Sequence, residues 1–381
     1  MTDPVRTGSP VREQVALADY TTLRLGGPAR RLVEAATETE IVAEVEAADE
    51  RDEPLLVLGG GSNLVVADEG FPGTVVHIST SGVRHRTAGH GAGPAGQGPV
   101  EVTVAAGEDW DAVVAGCVGE GLAGLECLAG IPGRAGATPI QNVGAYGQEV
   151  ADRIISVRVY DRARRSVIDL AGADCGFGYR TSDFKRSVQT QPAAVTGRFV
   201  VLSVRFRLDR DHLSTPVRYP ELARTLGVPE GGRAPLADVR SAVLSLRRGK
   251  GMVLDPGDPD TRSVGSFFLN PVLGPGQFAA VERAAGPGAR VPRYPAGDGQ
   301  VKVSAAWLIE QAGFRKGYPA TGAGTGPAGA RISSKHTLAL VNPGGATTAG
   351  LLALAREIRE GVRAAFGVEL ASEPVLVGAG L

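Results

Sequence analysis

The chain has 381 residues, too long for one ordinary hydrophobic core, which points to two or three domains. Its composition, 43% hydrophobic and 21% charged, is that of a globular protein, and a formal charge of −1 removes any whole-chain case for nucleic acid or an anionic membrane surface as partner. No apolar run approaches the ~18 residues of a membrane span. Met1–Pro10 lacks the apolar core of a signal peptide, and three cysteines without a CxxC pair argue for reduced thiols in a cytoplasmic protein.

In chain order, Arg30–Glu34 is expected as a short strand. Thr37-Glu-Thr-Glu40 is a capping box opening a helix whose apolar face carries Ile41, Val42, Val45 and Ala48. Leu55–Leu58 is a short buried strand running into Gly59-Gly60-Gly61-Ser62-Asn63. Val65-Val66, Val75–Ile78 and Val100–Ala105 are further strands, and Trp110, Val113, Val114, Cys117 and Val118 recur at helical spacing. Ile154–Tyr160, Ser166–Leu170 and Phe199–Leu208 are expected in one sheet, with GFGYRTSDFK looping between them. Charge and turn residues at Asp209–Thr215 suggest a domain boundary. Beyond it, Leu236–Arg248 and Ala305–Ala312 are helical and His336–Val341 is a strand. Thr348–Phe366 is an amphipathic helix with Gly367 at its C-cap, and Val368–Leu370 and Pro374–Val377 are closing strands. The alternation predicts a layered α/β or α+β fold. Two Gly-rich segments, Thr87–Pro99 and Ala320–Ala330, are expected as mobile surface loops. His85 and His90 have no cysteine partners nearby, and no metal site is expected.

Two motifs carry chemistry on residue type alone. Leu58-Gly59-Gly60-Gly61-Ser62-Asn63 ends a strand in consecutive backbone N–H groups with no Cβ in the way, suited to wrapping a pyrophosphate. It is not a Rossmann fingerprint, because Leu64 stands where the third glycine would, and no GK[ST] follows to make a Walker loop. Leu128–Gly147 mixes glycines, prolines and amides with Ile131, Ile140 and Val143. Such a segment is an ordered loop pressed against a large planar cofactor rather than a solvent loop or a core strand.

Together LGGGSNL, GLECLAGIPGRAGATPIQNVGAYG, FGYRTSDFK and VGSFFLNP closely resemble the UDP-N-acetylenolpyruvoylglucosamine reductase (UDP-N-acetylmuramate dehydrogenase) family, from about Tyr20 to Gly378. The resemblance implies an α+β protein: an FAD-binding half of the vanillyl-alcohol-oxidase (PCMH) type and a smaller C-terminal α/β substrate-binding domain. The corresponding domains are a tail at 1–19, an FAD-binding region at 20–209 (subdomains of about 20–80 and 81–209) and a substrate-binding domain at 210–381. The wording GATPIQNVGAYG, with Tyr219 in VRYPEL, resembles the subclass that closes a tyrosine-bearing loop over its substrate.

The resemblance also implies roles for particular residues. Arg180 holds the enolpyruvyl carboxylate, Ser266 delivers a proton, and Glu373 completes the site. FAD is held by Gly59, Gly60, Gly61, Ser62, Asn63, Ile131, Pro132, Gly133, Gly136, Ala137, Thr138, Gln141, Asn142, Gly144, Ala145 and Tyr146. Tyr219, Lys250 and Asn270 grip the diphosphate, with Arg247 in the same substrate-binding set, and Tyr294 and Gln311 lie on the uridine side. In the implied cycle NADPH reduces FAD, and the enolpyruvyl ether of UDP-N-acetylglucosamine then takes hydride at its β-carbon.

The chemistry of these residue types agrees. Hydride at the β-carbon leaves charge on the α-carbon, spread into the carboxylate, where a planar guanidinium pairs with it. The carbanion is so strong a base that a neutral hydroxyl suffices as the acid. Glu373, beside a carboxylate, must be protonated or paired with Arg180. An oxidase of the same fold using O₂ would account for the N-terminal half, but not for VGSFFLNP, Lys250 or the uridine-side residues. A monomer is compatible with the sequence.

Overall fold

A computed structural model of the chain describes residues 10–87, 98–189, 195–319 and 329–381. The packing divides it into two units. The first comprises Met1–Val15, Ala29–Gly60 and Pro72–Arg248; the second comprises Ala16–Pro28, Gly61–Phe71 and Gly249–Leu381.

In the first unit, a four-stranded sheet runs in the order Val11–Ala16, Pro28–Ala35, Phe71–Ile78, Leu55–Leu58, the last two parallel with Leu55 opposite Thr74. The helix Glu38–Glu50 covers it. Thr37 accepts from the Glu40 N–H while Glu40 accepts from the Thr37 N–H, so both arms of the capping box form. A second sheet is antiparallel throughout its main path, in the order Ser166–Ala171, Ile154–Asp161, Phe199–Arg210, Val100–Ala105, Val83–Thr87. The two sheets share a core in which Ala35, Ile41, Val45, Leu55 and Val76 pack with Tyr160, Val200 and Leu202. On the same face, Trp110 opens the helix Trp110–Gly119 and packs on Phe206 with ring centroids 5.8 Å apart. Burial of side chains this size stabilises by about 1.5–3 kcal/mol each.

The second unit is made of smaller pieces around one long helix, Thr348–Phe366. Thr347 caps its start, Gly367 ends it at φ 67°, and Leu351, Leu352, Ala355, Ile358 and Val362 face a core containing Phe267, Phe268, Leu308 and Ile309. Its early segments are bound into it by polar contacts. Asp68 accepts from the Thr348 and Ala349 N–H groups, and Asn342 donates to the carbonyls of Leu23 and Arg24. Val375–Val377 pairs in parallel with Leu64–Val66.

The structure departs from the sequence expectations at several points. Residues 11–19 are not a bare tail, because Val11–Ala16 is an edge strand and Leu17–Tyr20 a 3₁₀ turn. GFGYRTSDFK is only partly loop, since the helix Asp183–Gln189 begins inside it. The strand expected at His336–Val341 is confined to Ala339–Val341, because His336 Nδ1 accepts from the Leu338 N–H and closes a turn. Val368 and Leu370 are buried core residues, but no strand forms there. His85 lies on the strand Val83–Thr87 with its Nδ1 2.9 Å from Glu120. His90, with residues 88–97 and 320–328 of the Gly-rich segments, lies outside the described residues.

The division by packing falls after Arg248 rather than at Asp209–Thr215. Residues 211–248 turn back onto the first unit: the Asp211 N–H donates to Gly121 O, Thr215 donates to Glu126, and Arg240 pairs with Asp111 at 3.0 Å.

One buried charge ties the second sheet together. Asp161 is fully buried and accepts from Arg198 at both oxygens (2.7 and 2.5 Å) and from the N–H groups of Ala163 and Arg164. The Arg198 guanidinium holds its carboxyl below the ordinary 3.8. The stability it contributes is therefore complete above 3.8 and is lost as pH falls through the lower folded-state value. Asp161→Asn is expected to cost about 1.5–3 kcal/mol at pH 7. In urea melts the gap from wild type should shrink as pH falls below 3.8; a gap independent of pH would contradict the assignment.

Candidate functional site

The site in the first unit begins with two glycine segments lying backbone on backbone. A Cβ on Gly60 would fall 2.9 Å from Gly133 Cα, and one on Gly59 would fall 3.4 Å from Arg134 Cβ. Gly133 itself has φ 127°, where glycine is favoured. Gly136 is tighter still: its Cβ would lie 2.5 Å from Ala106 Cβ, and its N–H donates to Ala106 O at 2.9 Å. The loop Ile131–Ala137 is thus clamped to the end of a sheet strand. Among the described residues the N–H groups of Gly60 and Gly133 donate to no protein acceptor. Two apposed glycine turns with uncovered backbone donors have the chemistry to hold a pyrophosphate, so the residues present fit FAD.

The rest of the first glycine motif, Gly61-Ser62-Asn63, belongs to the second unit. Gly61 has φ 59° and its Cβ would fall 1.9 Å from Tyr20 O, while Asn63 O accepts from the Val375 N–H.

Two hairpin tips follow. Gly144–Ala145 pairs with Gln148–Glu149, and the intervening Tyr146 and Gly147 both have positive φ (49° and 83°), the two-residue turn that suits a twisted hairpin. Gly178 and Thr181 exchange both backbone hydrogen bonds, leaving Tyr179 and Arg180 at the second tip, with Arg180 at φ 52°. The two tips are joined. Arg180 donates to Gly144 O at 2.6 Å and to Asn142 O at 3.2 Å. Asn142 donates to Gly178 O and to Glu149, and its Oδ1 accepts from the Ala151 N–H. A Cβ on Gly144 would fall 2.8 Å from Glu149 Cγ, 2.9 Å from the Gln148 carbonyl oxygen and 3.0 Å from Arg180 Nη1, so the hairpin backbone itself calls for glycine there. Thr138 donates to Ala135 O, and Gln141 is half-buried in the same loop.

The tyrosines of two separate motifs also meet. Tyr219, at the N-cap of Pro220–Leu226, packs edge-on against Tyr146 at 5.3 Å and 88°. Arg247 lies half-buried near the end of Leu236–Gly249. Burial pulls its guanidinium down to about 10, opposed by the nearby Tyr146 and Asp111.

In the second unit, Ser266 ends the strand Ser263–Ser266. Ser263 faces Val341 and Ser266 faces Ala339, so one residue is extra, and the bulge takes Gly265 to φ 74°. The bulge re-aims Ser266 just before the buried, edge-packed pair Phe267 and Phe268. The terminal segment runs alongside, with the Leu269 N–H donating to Ala371 O and the Glu373 N–H donating to Phe267 O at 2.8 Å. Glu373 therefore stands opposite the residue after Ser266. The side chain of Asn270 accepts from the Ala305 N–H at the start of Ala305–Gln311, and Gln311 is exposed at the other end of that helix. Tyr294 is exposed on Arg293–Pro295, opposite Lys302, and Lys250 follows the helix Leu236–Gly249.

Sequence reading missed Glu126, which is fully buried and accepts from Gly124 N–H, the Gln148 side chain, Thr215 N–H and Thr215 Oγ1 at 2.6–2.9 Å. It fixes the segment leading to Tyr219. Its one signal was an acid set inside the apolar run GLECLAG.

A family model described as "FAD binding domain" matches residues 29–170, so the first unit carries the hallmark of an FAD-dependent oxidoreductase in a mixed α+β fold. A second, "UDP-N-acetylenolpyruvoylglucosamine reductase, C-terminal domain", matches residues 258–377. A UDP-N-acetylenolpyruvoylglucosamine reductase of Thermobifida fusca is 57% identical over 96% of this chain and 97% of its own length, and one from Streptomyces coelicolor is 55% identical over 99% and 94%. The crystal structure of the Thermus caldophilus enzyme, 27% identical, superposes with a TM-score of 0.60 over 96% of this chain and 99% of that one. The chain belongs to the UDP-N-acetylenolpyruvoylglucosamine reductase family.

Gly60→Ala tests the glycine pair. The added methyl must part Gly60 from Gly133, and flavin affinity is expected to fall at least about tenfold with far-UV circular dichroism unchanged. Full flavin content after gel filtration would remove these glycines from the cofactor site.

Proposed function

We propose that this chain catalyses the NADPH- and FAD-dependent reduction of the enolpyruvyl ether of UDP-N-acetylglucosamine to UDP-N-acetylmuramate, a cytoplasmic step in supplying peptidoglycan precursors. The observation that carries the assignment of residues is the Arg180 guanidinium, seated on the carbonyls of Asn142 and Gly144 in a chain of this family. Bound FAD supplies the hydride, after accepting it from NADPH.

The chain's residues do the rest. Gly59, Gly60 and Gly133 offer backbone to the cofactor's diphosphate. Arg180 binds the substrate carboxylate and stabilises the charge that reaches it when the β-carbon takes hydride. Its seat on two carbonyls fixes the plane of the fork, so little reorganisation is needed as charge develops. Ser266 Oγ gives its proton to the α-carbon, completing the lactyl ether. Glu373 stands beside that strand to settle the proton balance of the hydroxyl. Tyr219, Arg247, Lys250 and Asn270 serve the diphosphate, and Tyr294 and Gln311 the uridine. Tyr219 packed on Tyr146 supports the subclass with a tyrosine-bearing substrate loop.

Arg180→Lys keeps the charge and loses the planar fork. Turnover of the enolpyruvyl sugar is expected to fall at least about 100-fold, with a smaller change in affinity for UDP-N-acetylglucosamine, which lacks the carboxylate. Equal weakening of both ligands, or a large drop in melting temperature without selective loss of turnover, would make Arg180 part of the scaffold.

Ser266→Ala should leave NADPH-to-flavin reduction nearly intact while slowing reoxidation by the enolpyruvyl sugar by about 100-fold or more, because the hydroxyl acts only on the second half-reaction. Stopped-flow traces slowed equally in both halves would contradict a proton-donor role.

A further inference from the structure

The solvent face of the second sheet repeats one arrangement in two neighbouring rows, with a single difference. In the first row Glu101 stands between Arg86 and Arg207, in register across three strands. Its carboxylate takes Arg86 at 2.6 Å and Arg207 at 3.5 Å. Two residues along, and so on the same face, Thr103 stands between Arg84 and Arg205, again in register. The flanking cations are repeated, but the central anion is replaced by a hydroxyl. Among the described residues neither Arg84 nor Arg205 forms an ion pair or a side-chain hydrogen bond, although Arg205 helps to hold the Glu101 carboxyl low.

These two arginines line a groove of about 360 Å³ that also takes in Ser156, in register with Arg205, and Ser203, in register with Arg158. Around Arg158 the lining is net acidic, one guanidinium against two carboxylates: Arg158 pairs with Glu38 at 3.0 Å and with Asp169 at 3.2 Å. The groove thus has two arginines without an ion pair flanking Thr103, a floor of hydroxyls, and a side where the Glu38 and Asp169 carboxylates accept hydrogen bonds.

We propose that this groove is a second binding site, taking a phosphorylated sugar. The phosphate sits over Thr103 between Arg84 and Arg205, in the place the Glu101 carboxylate holds in the next row. The strand spacing sets the two arginine Cα atoms about 9–10 Å apart, a span that two long guanidinium side chains close around one phosphate. A bare phosphate fills only a small part of the volume. The hydroxyl-lined floor and the acid-flanked side match a polyhydroxylated body, which both accepts from and donates to such groups.

The test is calorimetric titration of the holoenzyme with inorganic phosphate and with glucose 1-phosphate. Wild type is expected to bind glucose 1-phosphate at least about tenfold more tightly than inorganic phosphate. Thr103→Glu supplies within the chain the carboxylate that this row lacks, and should weaken both probes at least about tenfold while keeping flavin content and fold. Arg205→Ala should do the same. Binding that persists unchanged in Thr103→Glu would place the phosphate elsewhere, the substrate site included, and overturn the proposal. Equal affinity of wild type for the two probes would overturn the assignment of a sugar phosphate, and no wild-type binding below about 10 mM would overturn the site.

Discussion

The carbonyls of Asn142 and Gly144 accept the Arg180 guanidinium, and most of the first unit's site depends on that contact. A planar cation on a long stem samples many rotamers unless something holds its plane. Two backbone acceptors do so through directional hydrogen bonds. The contact requires a loop whose carbonyls point at the second hairpin. The positive φ values of Asn142, Tyr146 and Gly147 give it that shape, and Asn142 locks it by donating to Glu149 and Gly178 O. Gly144 is excluded from bearing a side chain by the facing hairpin strand, where Glu149 Cγ and the Gln148 carbonyl lie 2.8 and 2.9 Å from the position of a Cβ. Residues that look like separate cofactor and catalytic motifs along the chain are one hydrogen-bonded assembly.

The second unit solves a similar problem by a different device. Ser266 carries no charge, and a one-residue bulge at Gly265 sets its direction on the strand. The buried Phe267 and Phe268 anchor the strand behind it, and the terminal segment at 371–373 pairs with it through the Leu269 and Glu373 N–H groups. Position is thus bought with apolar burial here and with carbonyl acceptors in the first unit.

Local signals in the sequence were reliable where the cause was local. The Thr37 capping box, the apolar stripe of Thr348–Phe366 and the Gly367 cap each depend on residues within one turn, and each formed where expected. The strands Ile154–Asp161 and Phe199–Arg210 were legible because their apolar alternation matches a sheet buried on one face. Long-range causes were not legible. The unit boundary at Arg248 depends on Thr215 reaching Glu126 and Arg240 reaching Asp111. Residues 16–28 and 61–71 join the second unit because Asp68 and Asn342 bind partners hundreds of positions away. In the candidate site, the motifs announced Arg180, Ser266 and Glu373, but not that Tyr146 meets Tyr219 or that Glu126 anchors the approach to it.

The central claim is that this chain passes hydride from NADPH to an enolpyruvyl sugar through its flavin. The most direct measurement is anaerobic. Holoenzyme is reduced with one equivalent of NADPH, freed of NADP⁺, and mixed with the enolpyruvyl ether of UDP-N-acetylglucosamine while the flavin absorbance and the products are followed. The account predicts return of the oxidised flavin spectrum with one UDP-N-acetylmuramate formed per flavin. A flavin that stays reduced until O₂ is admitted would contradict it.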